Sequence, residues 1–139
     1  MKRWTVLSLL LALLLSLCGC HKQEALTSDY VATDVKNVEI RIENISSAGA
    51  TVTIKDTNPE PYVYGEWYEV DRKVDGKWYV VEPVIEAYGF HDMGYLVDEN
   101  CEVKFDIDWT WLYGELPAGT YRILKQAGGE SVAVSFEIN

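Results

Sequence analysis

The sequence predicts an all-β domain, a seven-stranded antiparallel β-sandwich that follows an export leader and a short tether. Three observations lead to this fold class. From Val35 onward apolar and polar residues alternate with a period of two, which is typical of half-buried strands. Turn residues separate most of these segments. No part of the domain shows a convincing 3.6-residue period of the kind that predicts an amphipathic helix.

The N-terminus has the features of an export leader. Two basic residues are followed by an apolar run over residues 6–17, which is too short to span a bilayer stably. We therefore interpret residues 1–19 as a removed signal peptide. Leu17-Cys18-Gly19-Cys20 resembles a bacterial lipobox, which implies that Cys20 is lipidated and begins the mature protein. Cys18 fits that pattern less well, because a bulky leucine would precede the cut.

Composition limits the possible partners of the mature chain. Removal of the leader leaves 120 residues, the size of one domain. All 22 acidic residues remain but only 10 of the 12 basic ones, so the formal charge is −12. Nucleic acid and anionic headgroups are bound by clustered Lys and Arg, so neither is expected as a partner. Membrane attachment is expected through the lipid on Cys20, at the outer face of the bacterial cell membrane.

The three cysteines of the chain allow few roles. Cys18 is removed with the leader and Cys20 is used for the lipid, which leaves Cys101 alone in the domain. One thiol forms neither an intramolecular disulfide nor a cysteine-rich metal site. The strand pattern around Cys101 predicts a buried and unreactive thiol. No metal and no cofactor are expected.

The first elements after the leader are a tether and two strands. Residues 20–34 have no sustained apolar period and are predicted to form a flexible tether, followed by the domain at residues 35–139. A turn is predicted at residues 46–49. Alternation predicts one strand before this turn and one after it, marked by Val38, Ile40 and Ile42 and by Val52 and Ile54.

The middle of the chain predicts a hairpin and a long connection. Two prolines in Asn58-Pro59-Glu60-Pro61 interrupt β-structure, and a long aromatic strand is predicted over residues 62–74. Asp75-Gly76 then predicts a type I′ turn into a strand at residues 77–81, since both turn positions need positive φ. Residues 82–95 are irregular and predict a connection with room for a short helical turn.

The following strand has the clearest alternation in the chain. Its inward side chains are predicted to be Cys101, Val103, Phe105, Ile107 and Trp109, with Glu102, Lys104, Asp106 and Asp108 pointing outward. The last two strands are predicted at residues 121–125 and 132–138, with Gly128-Gly129 in the turn between them.

The segment that precedes the penultimate strand indicates a particular kind of sandwich. Leu116-Pro117-Ala118-Gly119-Thr120-Tyr121 resembles the turn-and-tyrosine entry of immunoglobulin-like domains, in which the tyrosine hydroxyl bonds to upstream backbone. We therefore predict an immunoglobulin-type sandwich, with Tyr121, Asp75 and Gly76 as structural residues.

Several motifs in order resemble one family, the bacterial immunoglobulin-like domain of small lipoproteins and envelope proteins, mostly of Gram-positive bacteria. The motifs are Tyr64–Tyr68, Val74–Tyr79, Asp108–Gly114 and Leu116–Ile123. The resemblance covers about residues 35–139. It implies a sandwich fold and a surface location, and it transfers no activity, ligand or functional residue.

Exposed aromatic residues are the candidates for a binding site. Trp67, Trp78, Trp111 and Tyr113 are the candidate residues for stacking on a glycan or a small molecule. The sequence favours packing instead, because Trp67 and Trp78 flank one hairpin and can pair across it. Trp109 continues an inward row and is expected in the core.

No catalytic residues are predicted. Asp106 and Asp108 share a strand face, but no third carboxylate at motif spacing supports acid–base chemistry or calcium binding, so a solvated strand face is the preferred interpretation. His91 lies in the irregular connection without a nucleophile elbow or a zinc motif.

The predicted function is therefore non-catalytic. We expect a membrane-anchored cell-envelope lipoprotein that displays an interaction or structural domain, with an envelope protein or a cell-wall component as partner. The alternative is a glycan or small-molecule binder that uses exposed aromatic residues.

Overall fold

The computed structural model describes residues 24–139, so the leader and Cys20 lie outside the described residues. Nine strands and one short helix follow one another in this part of the chain. They are β1 (Val38–Glu43), β2 (Gly49–Asp56), β3 (Tyr64–Gly65), β4 (Glu69–Val74), β5 (Lys77–Val80), β6 (Gly94–Tyr95), β7 (Glu102–Asp108), α1 (Thr110–Tyr113), β8 (Gly119–Ala127) and β9 (Glu130–Ile138).

The strands form two antiparallel sheets and a two-stranded ribbon. The three-stranded sheet has the order β1-β2-β7, the four-stranded sheet has the order β5-β4-β8-β9, and β3 pairs with β6. Both sheets contribute to one core, in which Val52 of β2 and Ile123 of β8 are fully buried. The predicted antiparallel sandwich is confirmed, with two strands of two residues in addition to the expected seven.

The alternation predicted for β7 is confirmed from Val103 to Trp109. The odd-numbered residues of this run are buried or half-buried and the even-numbered ones between them are mostly exposed. The prediction that Cys101 is a buried strand residue is wrong. Cys101 precedes the strand, has a φ of 62° and is only half-buried. Its carbonyl accepts a hydrogen bond from the Asp56 N–H at 2.9 Å, so the chain turns at this residue.

The hairpin between β4 and β5 has a two-residue turn. Val74 lies opposite Lys77, and the two residues between them are Asp75 with a φ of 49° and Gly76 with a φ of 78°. Two successive positive φ angles are what a type I′ turn requires, and they give the turn the twist of the flanking strands.

The prediction of one long strand over residues 62–74 is wrong. This segment divides into β3 and β4, which belong to different sheets. The Gly65 carbonyl accepts a hydrogen bond from Lys125 Nζ at 2.6 Å, which fixes the chain at the end of β3. The buried Tyr64 side chain donates its hydroxyl hydrogen to the Asp56 carboxylate at 2.8 Å. Contacts with distant strands therefore end β3 where the local pattern predicts continuation.

The helical turn lies elsewhere than expected. Residues 82–95 contain no helix, whereas α1 follows directly after β7. The Asp108 carboxylate accepts a hydrogen bond from the Thr110 N–H at 2.8 Å, and the Trp109 carbonyl accepts one from the Tyr113 N–H at 2.8 Å. The chain thus leaves the end of β7 through one turn of helix.

Residues 24–34 lie across the four-stranded sheet, and the prediction of a flexible tether does not hold for them. Thr27 forms a bridge with Tyr79 of β5, at one edge of the sheet. Ala32 forms a bridge with Ser131 of β9, at the opposite edge. The segment therefore covers the face of this sheet that points away from the core.

A stack of three aromatic rings occupies the centre of the sandwich. Trp109 is fully buried and stacks on Phe136 at a centroid distance of 5.6 Å, as expected for a core residue. Phe136 stacks in turn on Tyr121 at 5.7 Å. The Tyr121 hydroxyl donates a hydrogen bond to the Pro117 carbonyl at 2.7 Å, which closes the tyrosine corner.

We expect Tyr121→Phe to lower the free energy of unfolding by about 1 kcal/mol, because it leaves the Pro117 carbonyl without its donor. Thermal unfolding followed by circular dichroism measures the change. Tyr79→Phe is the matched control, since the Tyr79 hydroxyl has no hydrogen-bond partner in residues 24–139 and Tyr79 is half-buried. Equal melting temperatures for the Tyr121 variant and the wild type would contradict a stabilising corner.

Candidate functional site

The four aromatic residues predicted as candidate binding residues do not share a surface. Trp67 is half-buried and its ring lies 5.5 Å from that of Tyr30. Trp111 is 43% exposed, whereas Tyr113 is only 8% exposed and belongs to the core. These positions rule out a flat platform built from all four rings.

Trp78 does not pair with Trp67 across the hairpin, so that prediction is wrong. Trp78 lies opposite Lys73 in the β4–β5 ladder. The Arg122 guanidinium carbon lies 4.8 Å from the centroid of the Trp78 ring, a cation–π contact on the outer face of the four-stranded sheet. Trp78 is therefore engaged in packing beneath the N-terminal segment.

An open groove of about 520 Å³ runs beside β7, and we call it the β7 groove. It is lined by residues 104–108 of β7, by residues 89–91 of the connection between β5 and β6, and by Trp111. Glu66, Tyr68 and Tyr95 complete the lining. The side chains of successive strand residues point to opposite faces of a sheet. Five consecutive residues of β7 can therefore line one groove only if the groove runs along the edge of the strand.

The edge of β7 in this groove has no strand beside it. β7 pairs with β2 and with no other strand among residues 24–139. Across the groove, no backbone hydrogen bond joins residues 88–93 to residues 103–108. Immunoglobulin constant-type domains have four strands in the corresponding sheet. Here the connection of residues 82–95 lies alongside without pairing, which leaves backbone groups of β7 open.

Aromatic side chains form a rim on the far side of the groove. Phe90 packs against Trp111 at 5.8 Å and against Tyr68 at 5.2 Å between ring centroids. Tyr88, which is 50% exposed, adds contacts to both Phe90 and Trp111. The buried Tyr68 thereby anchors the half-buried Phe90 and, through it, the exposed rings of Tyr88 and Trp111. Other exposed apolar side chains on the same connection are Val84, Ile85 and Met93.

The charge of the groove is mainly negative. Asp106 accepts a hydrogen bond from the Thr51 hydroxyl at 2.8 Å, and neither Asp106 nor Asp108 has an ion-pair partner in the described chain. Hydrogen bonds from Thr110 lower the pKa of Asp108, so its carboxylate stays charged. Lys104 is the exposed cation of the same strand.

The remaining polar candidates do not form a catalytic arrangement. His91 is exposed and lines the groove. No group of three or more His, Cys, Asp or Glu side chains that could hold a metal occurs within residues 24–139. Over the same residues, no helix is long and apolar enough to cross a membrane.

Sequence reasoning did not single out Lys125, which lies behind the groove. It is 1% exposed, its Nζ donates to the Gly65 carbonyl, and it sits 3.7 Å from the centroid of the Phe105 ring. Burial lowers the pKa of Lys125 to about 8, against an opposing effect of the Glu66 charge. The alternation of the strand could have predicted this burial, because Lys125 lies on the same inward face of β8 as Tyr121 and Ile123.

A second buried polar cluster lies beneath the N-terminal segment. The Arg122 guanidinium forms an ion pair with the Asp71 carboxylate at 2.8 Å. It also donates hydrogen bonds to the Tyr30 carbonyl at 2.9 Å and to the Ser28 hydroxyl at 3.3 Å. Arg122 therefore connects the sheet to the segment that crosses it.

Glu69 extends this cluster with an unusual carboxyl pair. Burial and then the charge of Asp71 raise the pKa of Glu69 to about 7, while Arg122 acts in the opposite direction. One oxygen of Glu69 and one of Asp71 are buried without a hydrogen-bond partner in the described residues. A proton on Glu69 would satisfy both oxygens, because the neutral carboxyl can donate to Asp71.

The two packed antiparallel sheets and the tyrosine corner define an immunoglobulin-type sandwich. The chain belongs to the bacterial Ig-like domain family, whose model matches residues 33–138. The resemblance to bacterial immunoglobulin-like domains is thereby confirmed. No curated protein and no solved structure matches the chain.

We expect Glu69→Gln to stabilise the domain at pH 8 by about 1 kcal/mol and to have little effect at pH 5. The pKa of Glu69 is raised on folding from an ordinary value of 4.5 to about 7. Its contribution to stability is therefore complete below pH 4.5 and is lost as the pH rises through 7. The expected stabilisation is well below the full free energy of this pKa shift, because the carboxyl is partly exposed and water screens its charge.

Melting temperatures of the wild type and the variant between pH 5 and pH 8 measure this effect. The matched control is Glu60→Gln, which removes the same charge at an exposed loop position. A difference between wild type and Glu69→Gln that stays constant over this pH range would show that Glu69 does not titrate there.

Proposed function

We propose that this protein is a lipid-anchored lipoprotein of the bacterial cell envelope, with a non-catalytic Ig-like domain that contacts an envelope protein or a cell-wall component through the β7 groove. The observation that carries the proposal is the unpaired edge of β7 beside an anchored aromatic rim. Exposed strand edges and concentrated exposed apolar surface are features of sites that bind partners.

Lipid anchoring is supported by the lipobox resemblance at Cys20, which lies outside the described residues. The docked N-terminal segment adds a geometric consequence. Thr27 is held at the edge of β5, and an extended chain of seven residues spans at most about 25 Å. A lipid on Cys20 would therefore hold the β5 edge of the domain within that distance of the membrane surface.

A glycan-binding function is the second candidate, and the exposure of Trp111 is the observation that favours it. Sugar rings stack on exposed aromatic faces, and carboxylates such as Asp106 and Asp108 can accept hydrogen bonds from hydroxyl groups. Trp111 supports this candidate alone, since Trp67, Trp78 and Tyr113 lie away from the groove lining.

We expect Cys20→Ser to abolish lipidation and to shift the protein from the detergent phase to the aqueous phase on Triton X-114 partition. Incorporation of an alkyne-labelled fatty acid into the full chain measures the lipid directly. Cys18→Ser is the matched control and keeps the label, because Cys18 is removed with the predicted leader. Normal labelling of the Cys20 variant would contradict the anchor.

We expect a photo-crosslinking amino acid in place of Trp111 to give a discrete adduct in intact cells. The same amino acid in place of His91 should give the same adduct. The control position is Lys77, an exposed residue beside the β4–β5 turn of the other sheet. Mass spectrometry of the adducts identifies the partner. The same adduct pattern at Lys77 as at the groove positions would contradict the groove as contact surface.

A further inference from the structure

We infer that the β7 groove binds an extended peptide segment, with alternating basic and apolar side chains, as a fourth strand of the three-stranded sheet. This inference rests on the proposal that the groove is the contact surface, and it names the partner's chemistry. It follows from the strand edge, the two sides of the groove and the charge on the outer face of β7.

The strand edge provides the backbone contacts. Residues 103–108 bond to β2 on one side and have no backbone partner on the other side within the described chain. In the groove, the Asp108 carbonyl accepts a long hydrogen bond of 3.5 Å from the Tyr68 hydroxyl, which a guest strand would replace. A strand added beside β7 would lie about 4.8 Å away and take up the open N–H and C=O groups. Strand addition of this kind draws its affinity from main-chain hydrogen bonds.

The two faces of β7 set the side-chain pattern of the guest strand. Its inward side chains would meet Phe105 and Ile107, which are half-buried, together with the rim residues Phe90 and Trp111. Its outward side chains would lie beside Lys104, Asp106 and Asp108, which are exposed. Because side chains alternate along a strand, apolar and polar residues must alternate in the partner.

Charge complementarity makes the outward residues basic. The carboxylates of Asp106 and Asp108 are hydrogen-bonded only to neutral threonine donors and form no ion pair within residues 24–139. Opposite charges on paired strands stabilise by roughly 0.2–1 kcal/mol per pair. Lys104 disfavours a basic residue directly opposite it, so the two basic side chains belong beside Asp106 and Asp108.

The charge of the whole chain acts in the same direction. Its formal charge is −10 before removal of the leader, which speeds association with cationic partners and slows association with anionic ones. Such a partner is an extended, exposed region of another envelope protein. Exposed charges on an edge strand can also prevent another strand from pairing with it. The experiment therefore compares a basic peptide with an acidic one, which separates selective binding from general repulsion.

The test uses the full mature lipoprotein in a non-ionic detergent and isothermal titration calorimetry. The probe is a nine-residue peptide, blocked at both ends, in which Val alternates with polar residues, of which two successive ones are Lys and the others Thr. Its controls are the same peptide with alternate backbone nitrogens methylated, and a peptide with Glu in place of Lys. A cell-wall oligosaccharide fragment tests the glycan alternative on the same sample.

We expect saturable one-to-one binding of the basic peptide that weakens with salt, no binding of the acidic peptide, and a loss of about tenfold or more on methylation. Hydrogen exchange of residues 103–108 should slow in the complex. Asp106→Asn should weaken binding roughly two- to fivefold, since the charged pair is lost. Asp29→Asn, which removes the same charge from the N-terminal segment, should leave it unchanged.

Other outcomes overturn the inference in distinguishable ways. Equal binding of the methylated peptide excludes strand addition, and equal binding of the acidic peptide excludes charge selection. Binding of the oligosaccharide alone assigns the groove to a glycan. If no probe binds while the photo-crosslinking residue at position 111 still gives its adduct in cells, the groove remains the contact surface but its partner is not a basic strand. If crosslinking also fails, the proposed function fails with it.

Discussion

The stacking of Trp109, Phe136 and Tyr121 is the interaction on which the two-sheet arrangement depends. Trp109 directly follows β7 of the three-stranded sheet, whereas Tyr121 and Phe136 lie on β8 and β9, two neighbouring strands of the four-stranded sheet. The Trp109 indole N–H also donates to the Ser47 carbonyl at 2.7 Å, which ties the β1–β2 turn to the same core. Large buried rings contribute most of the apolar area in a core without a disulfide, so this stack fixes how the sheets face each other.

Aromatic packing also explains why a groove remains beside β7. Phe90 is held by ring contact with the buried Tyr68, so the connection follows the aromatic core rather than the strand edge. The outer face of the four-stranded sheet, in contrast, is covered. Arg122, which is paired with Asp71, donates hydrogen bonds to Ser28 and Tyr30 there, and the N-terminal segment covers that face. One sheet is thus closed by its own chain, while the other keeps an open edge.

Local patterns were reliable where a single element decides the outcome. The alternation of Val103 to Trp109 predicted both faces of β7, and Asp75-Gly76 predicted a two-residue turn with two positive φ angles. Packing was favoured for the candidate rings, and Tyr113 does lie in the core because α1 turns it inward, whereas Trp111 is exposed. The groove itself joins residues 66, 90, 106 and 111, and no local pattern brings these positions together.

The sequence by itself determined the class of fold, the two faces of β7 and the tyrosine corner, whereas lipidation of Cys20 stays a prediction. Period and turn chemistry act over a few neighbouring residues, which is why they can be read from the chain directly. Only the tertiary structure decided that β3 ends at Gly65, that residues 24–34 dock on the sheet, and that the edge of β7 stays open. Each of these depends on a buried cation or ring whose partner lies far away in sequence, as Lys125 and Gly65 show.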